Sequence, residues 1–152
     1  MKVLVDATFL VYLSEGGIGF LEKLDVSTTS SVLKEIGYIV PAHIANQMLL
    51  SLNEAKAVKP KTGSMGSRWL SQTDLELLNS AKEGNYLLVT DDKKLTGQAR
   101  LEKVKVIDTP HFLESKAELL GKEEVIIFLE LLQKFYLRKS LIAGVLERLK
   151  KR

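Results

Sequence analysis

Two short, unbroken apolar runs end in acid: Val3-Leu4-Val5 stops at Asp6, and Tyr86–Thr90 stops at Asp91-Asp92. Continuous rather than alternating apolarity marks strands buried on both faces of a parallel sheet. Parallel strands need crossover connections, so helices must cover that sheet on both sides. The intervening pattern agrees. Residues 7–13 have helical character, Gly16-Gly17-Ile18-Gly19 reads as a turn, and Leu24–Thr29 as a second strand. Ser30 and Ser31 can cap a helix that Gly37 ends, and Pro41 opens a longer helix over 41–57 with Ile44, Met48, Leu49 and Leu52 on one face. Residues 59–68 read as a loop. A helix follows from Ser71 to Glu83, stopped by Gly84-Asn85, then the strand 86–90, a helix over 93–101 and a strand over 104–107. The expected fold is therefore α/β, a three-layer α/β/α sandwich around a central parallel sheet. Residues 115–149 break the alternation and predict a C-terminal helical extension, a helix pair divided near Arg138–Ser140.

The 152 residues suit one domain, and without cysteine the chain has no disulfide, zinc ribbon or thiol chemistry. Any metal site must use oxygen ligands or the two histidines, His43 and His111. His43 reads as a surface residue of a first helical turn and His111 as a loop residue. The net charge of +3 is too mild to announce a nucleic-acid partner, but its distribution is uneven. Residues 134–152 hold seven basic groups and one acid, so a basic tail of +6 follows a body of −3. Asp6 interrupts the apolar N-terminus, and Glu130 and Lys134 interrupt the apolar stretch near 125–132. Neither reads as a signal peptide or a membrane span, and a soluble cytoplasmic protein is expected.

In an open α/β sheet, ligands bind beyond the carboxyl ends of the strands. Asp6 and Asp91-Asp92 lie there, and Glu35 and Asp74 are carried on helices that can reach the same edge. Ionised carboxylates crowded together repel one another, and a hard divalent cation such as Mg²⁺ or Mn²⁺ relieves that repulsion. Two such ions about 4 Å apart would polarise water and stabilise both oxygens of a phosphodiester displacement. Each acid also has a plainer reading. Asp6 can cap the next helix, Asp74 completes a capping box begun by Ser71, Glu35 can be solvated, and Asp91-Asp92 can be an ordinary turn.

Taken together, these residues resemble the PIN-domain ribonucleases. Val3-Leu4-Val5-Asp6-Ala7-Thr8 is similar to that family's first strand and its Asp-x-(Ser/Thr/Asn) turn. Thr29-Ser30-Ser31-Val32-Leu33-Lys34-Glu35 is similar to its Thr-x-x-Val-x-x-Glu helix. Leu70-Ser71-Gln72-Thr73-Asp74 resembles its Leu-Ser-x-x-Asp helix start, and Thr90-Asp91-Asp92 its Thr-x-Asp strand end. The resemblance covers residues 1–113, leaving 114–152 as the extension, which packs on the domain or forms a dimer interface. It implies a Mg²⁺- or Mn²⁺-dependent endoribonuclease whose metal is held by Asp6, Glu35, Asp74 and Asp92, with Asp91 as a further ligand or a hydrogen-bond acceptor behind them. Both the toxin-type (VapC-like) and the rRNA-processing branches fit, although the zinc ribbon of the latter has no counterpart in a chain without cysteine. Implied partners are RNA, an antitoxin or a ribosome-assembly partner, and a second copy in a homodimer. The alternative is a non-catalytic PIN-fold module that binds RNA or protein.

Arg68, Lys93, Lys94 and Arg100 are the residues expected to hold the RNA backbone, with Lys59 and Lys61 nearby. Trp69 is placed to stack on a base or to serve as core. Thr8 and Thr90 flank the acids and can orient them or cap helices. The glycines at 16, 17 and 19 follow no dinucleotide-binding or P-loop pattern. The apolar residues of the extension, from Val125 to Leu149, exceed what a short appendage needs.

Overall fold

In the computed structural model, which describes residues 1–59, 70–136 and 138–152, five parallel strands lie between helical layers as an α/β/α sandwich. The described elements are β1 (Val3–Val5), α1 (Ala7–Leu13), α2 (Ile18–Lys23), β2 (Val26–Thr28), α3 (Ser30–Ile39), α4 (Ala42–Ser51), β3 (Asn53–Glu54), α5 (Gln72–Gly84), β4 (Leu87–Val89), α6 (Lys93–Leu101), β5 (Val106–Ile107), α7 (Thr109–Ser115), α8 (Ala117–Leu120), α9 (Lys122–Leu132) and α10 (Lys139–Lys151). Among the described residues no helix is long and apolar enough to cross a membrane. Arg68, Lys61 and Trp69 lie outside the described residues.

The strand order is β3-β2-β1-β4-β5. Val3 of β1 sits beside Val26 of β2 on one side and Leu87 of β4 on the other, and Val5 sits beside Val89. All of Val3, Leu4 and Val5 are buried, as strands covered on both faces require. The chain builds outward from β1 in one direction, then resumes at β4 on β1's other side. That reversal between β1 and β4 leaves a crevice at their carboxyl ends, and it holds Asp6, Thr90, Asp91 and Asp92.

Several boundaries differ from the sequence expectation. Gly37 does not end α3, which continues to Ile39 because the Val40 N–H still reaches the Ile36 carbonyl at 3.0 Å and Pro41 then blocks extension. The N-cap of α3 is Thr29, whose hydroxyl accepts from the Val32 N–H, rather than Ser30 or Ser31. The single helix expected over 41–57 stops at Ser51 and gives way to the edge strand β3. Leu49 of that helix is half exposed while Met48 is fully buried. The glycine turn is shorter than expected, since α2 begins at Ile18 and contains Gly19. His111 belongs to α7 rather than to a loop. Other boundaries hold closely: Ser71 caps α5, and Asn85 takes the left-handed conformation (φ 54°) that closes it.

Residues 115–149 hold three helices rather than a pair, because the short α8 precedes α9, and α10 begins at Lys139, within the expected break. Val125, Leu129, Leu132, Ile142, Val145 and Leu149 are buried in the same cluster as β1 and β4. Phe128 meets Phe20 edge-on at 5.6 Å. Gly17 permits this close approach, because a Cβ there would stand 2.9 Å from Leu13 Cδ2 and 3.0 Å from the Phe128 ring. Arg148 of α10 clasps Glu114 of α7 through two bonds of 2.8 and 2.9 Å. That fork holds the Glu114 carboxyl below its ordinary range.

Candidate active site

Asp6 follows β1 and is 2 % exposed. It caps α1, as the plainer reading expects, with Oδ1 accepting from the Phe9 N–H at 3.0 Å. It does more than cap. Oδ1 also accepts from the Thr8 hydroxyl at 2.7 Å, and Oδ2 accepts from the Thr90 hydroxyl across the switch point. Burial outweighs these three bonds and raises the Asp6 carboxyl to about 7.

Thr8 and Thr90 are the joints of the crevice. The Thr8 hydroxyl accepts from the Asp91 N–H at 3.1 Å while donating to Asp6. The Thr90 hydroxyl accepts from the Asp92 N–H at 3.1 Å while donating to the other Asp6 oxygen. Two hydroxyls therefore lock the ends of β1 and β4 around one carboxylate.

Asp91 and Asp92 have different employments. Asp91 Oδ1 accepts from the Thr109 N–H at 3.0 Å and from the Tyr136 hydroxyl, and Oδ2 accepts from the Thr109 hydroxyl. Both oxygens are thus committed to the start of α7 and to the segment joining α9 to α10. Burial raises the Asp91 carboxyl despite those donors. Asp92 caps α6, with Oδ1 accepting from the Leu95 N–H at 2.9 Å, and Oδ2 makes no hydrogen bond among the described residues.

Asp74 lies in the first turn of α5, where its N–H donates to the Ser71 hydroxyl at 3.1 Å. Its carboxyl is raised by burial first, then by the charge of Asp92, with Glu35 adding a smaller push in the same direction. Glu35 is exposed on α3. A bond of 2.8 Å from the Ser31 hydroxyl to Glu76 fastens α3 to α5 one turn from Glu35. The fold thus brings Glu35, Asp74 and Asp92 within electrostatic reach, with Asp6 linked to Asp92 through Thr90.

Among the described residues no lysine or arginine forms an ion pair with any of these five acids. The donor set of hard, uncompensated oxygens suits Mg²⁺ or Mn²⁺. Their side chains, however, are not closed around a point: among the described residues no three His, Asp or Glu groups stand close enough to hold a metal ion. Asp91, with both oxygens engaged, is the least suited of the five to bind one.

Lys93 and Lys94 are exposed at the start of α6, directly after Asp92, and Arg100 is exposed in its last turn. A cavity of about 500 Å³, lined by Lys2, Lys23, Asp25 and Asn53, opens at the opposite end of the strands. It is remote from the carboxylates. Sequence reasoning missed Thr109, Tyr136 and Arg138. Asp108 had a signal, since it follows β5 as Asp6 follows β1; Tyr136 had none, because its place depends on where the α9–α10 connection lands. No protein-family model, no curated protein and no solved structure matches the chain.

Proposed function

We propose that the protein is a divalent-metal-dependent endoribonuclease, a hydrolase of RNA phosphodiester bonds, built on a PIN-like domain. The observation that carries this reading is the Asp74 carboxyl. Burial and the charges of Asp92 and Glu35 raise it, at the switch-point edge where Asp6 is fixed, and among the described residues it forms no ion pair with a cation. Asp6, Glu35, Asp74 and Asp92 would hold Mg²⁺ or Mn²⁺, which when bound supplies charge compensation and Lewis-acid polarisation of the phosphodiester. Thr8 and Thr90 keep both Asp6 oxygens aimed into the crevice. Asp91 acts behind the site, tying α7 and Tyr136 to the end of β4. Lys93, Lys94 and Arg100 hold the strand through its phosphates and confer no sequence preference.

The spacing of the acids favours one other reading, a non-catalytic RNA- or protein-binding module, since the carboxylates are not gathered into a ligand set. For partners other than RNA, the support is apolar exposure on α3 and α4, where Tyr38 is 91 % and Leu50 89 % exposed. A second copy is the occupant this proposal assigns to that face, with an antitoxin or a ribosome-assembly partner as the alternatives.

The test is cleavage of a mixed-sequence RNA in Mn²⁺ and in EDTA. Cleavage that requires Mn²⁺ and drops by about a thousandfold in Asp6→Asn is expected for loss of a central charged group. Equal cleavage in EDTA, or by Asp6→Asn, overturns the mechanism. RNA binding without cleavage under any divalent ion selects the binding module.

A further inference from the structure

A second cavity, of about 400 Å³, adjoins the carboxylate edge and is lined by Thr90, Thr96, Arg100, Asp108, His111 and Arg138. It is the right size for a nucleotide. Its lining holds two guanidiniums and a single carboxylate, so it is cationic even with a neutral imidazole. The carboxylate is occupied: Asp108 accepts from the His111 N–H at 2.9 Å and meets His111 Nδ1 at 2.8 Å. Arg138 donates to the Tyr136 hydroxyl at 3.3 Å and feels the charges of Asp108 and Asp91, but among the described residues neither Arg138 nor Arg100 forms an ion pair. Val106 and Ile107 give the cavity an apolar side against which a sugar or base can lie.

Its position gives it a role. Thr90 belongs both to this cavity and to the Asp6 hydrogen bonds, so an anion held here neighbours the reacting edge. The arginine at 138 arrives from the C-terminal segment and is set by Tyr136, whose hydroxyl is bound to Asp91. We propose that this cavity is a phosphate-binding subsite, in which Arg100 and Arg138 grip a phosphate group of an RNA strand beside the bond to be cut. The C-terminal extension therefore completes the substrate site, and one residue of its basic stretch has a defined task. The proposal rests on the ribonuclease reading for its substrate and on the cavity alone for its anion.

The experiment measures binding to the full chain in EDTA, where a metal-dependent reaction is silent. Inorganic phosphate is titrated by calorimetry, and short RNAs with a 5′-phosphate, a 3′-phosphate or neither are titrated by fluorescence anisotropy. Arg138→Gln and Arg100→Gln are each expected to weaken phosphate binding about tenfold, as loss of a charge-assisted contact does. Arg100 is exposed, so its substitution keeps the test valid if Arg138→Gln impairs folding. Lys56→Gln, an exposed charge next to β3, is the control for bulk electrostatics. Tighter binding of a phosphorylated end, lost in the arginine variants, supports a subsite for a strand terminus. Equal binding of all three RNAs, also lost in those variants, supports one for an internal phosphodiester. Failure of inorganic phosphate to bind, or an equal loss in Lys56→Gln, overturns the subsite. Phosphate binding without RNA cleavage in Mn²⁺ overturns the ribonuclease reading and leaves the subsite standing; cleavage indifferent to both arginines does the reverse.

Discussion

The Thr90 hydroxyl, at the end of β4, donates to Asp6 Oδ2 at the end of β1, joining residues 84 positions apart. The threonine oxygen in turn accepts from the Asp92 N–H at 3.1 Å. One threonine therefore sets the spacing of two candidate ligands. Thr90→Val preserves the β-branched shape and removes both bonds. RNA cleavage should fall by about 10- to 100-fold, the usual loss when a group orienting a ligand is removed. A variant that cleaves as fast as the wild type shows that the Thr90 hydroxyl serves the fold alone.

Asp6 couples this site to stability. Its carboxyl is raised from 3.8 to about 7, so between those values the folded chain keeps a proton that the unfolded chain has released. Metal-free stability therefore falls as pH rises through that window, by roughly 1.4 kcal/mol for each pH unit crossed. In EDTA, Asp6→Asn should melt above the wild type at about pH 8, with the advantage shrinking toward pH 5 as the wild-type carboxyl is protonated. Melting curves that keep a constant separation across this range contradict the raised carboxyl.

Tyr136 ties the connection between α9 and α10 to Asp91. Tyr136→Phe keeps the ring, which packs 5.1 Å from Tyr12, and leaves Asp91 one donor short. A loss of about 1 kcal/mol in denaturant unfolding is expected, because Asp91 Oδ1 loses one of its two donors and keeps the Thr109 N–H. An unchanged midpoint would show that the hydroxyl contributes nothing to the fold.

Glu114 carries the opposite pH signature. Arg148 holds its carboxyl below the ordinary 4.5, so its contribution is present above that value and is lost as pH falls through the lowered one. Glu114→Gln should therefore destabilise near neutrality and converge on the wild type in strong acid. Amide exchange in α10 should quicken in the variant at neutral pH, and a uniform destabilisation at every pH contradicts the ion-pair account.

The sheet's centre was legible because β1 and β4 are written as continuous apolar runs, and the acids at their ends follow from the rule for open sheets. β3 was not legible. Asn53 and Glu54 are polar and exposed, and only their register with Ser27 and Thr28 makes them a strand. Gly37 misled because one glycine costs about 1 kcal/mol in a helix, less than the packing of Val32 and Ile36 returns. For the candidate site, the sequence set Asp92 among the expected ligands and left Asp91 as either a further ligand or an acceptor behind them. Asp91 and Asp92 are adjacent, yet Thr109 and Tyr136 claim the first and α6 the second. The partners of Asp91 are long-range, and no local pattern announces them.

The central claim is that Asp6, Glu35, Asp74 and Asp92 act as one cation site. Anomalous diffraction from crystals soaked in Mn²⁺ tests it most directly. The account predicts a peak in the crevice between β1 and β4, with carboxylate oxygens from at least three of these residues at about 2 Å, the bond length of a hard divalent ion. A crevice with no peak, in crystals whose four carboxylates are free of lattice contacts, contradicts it.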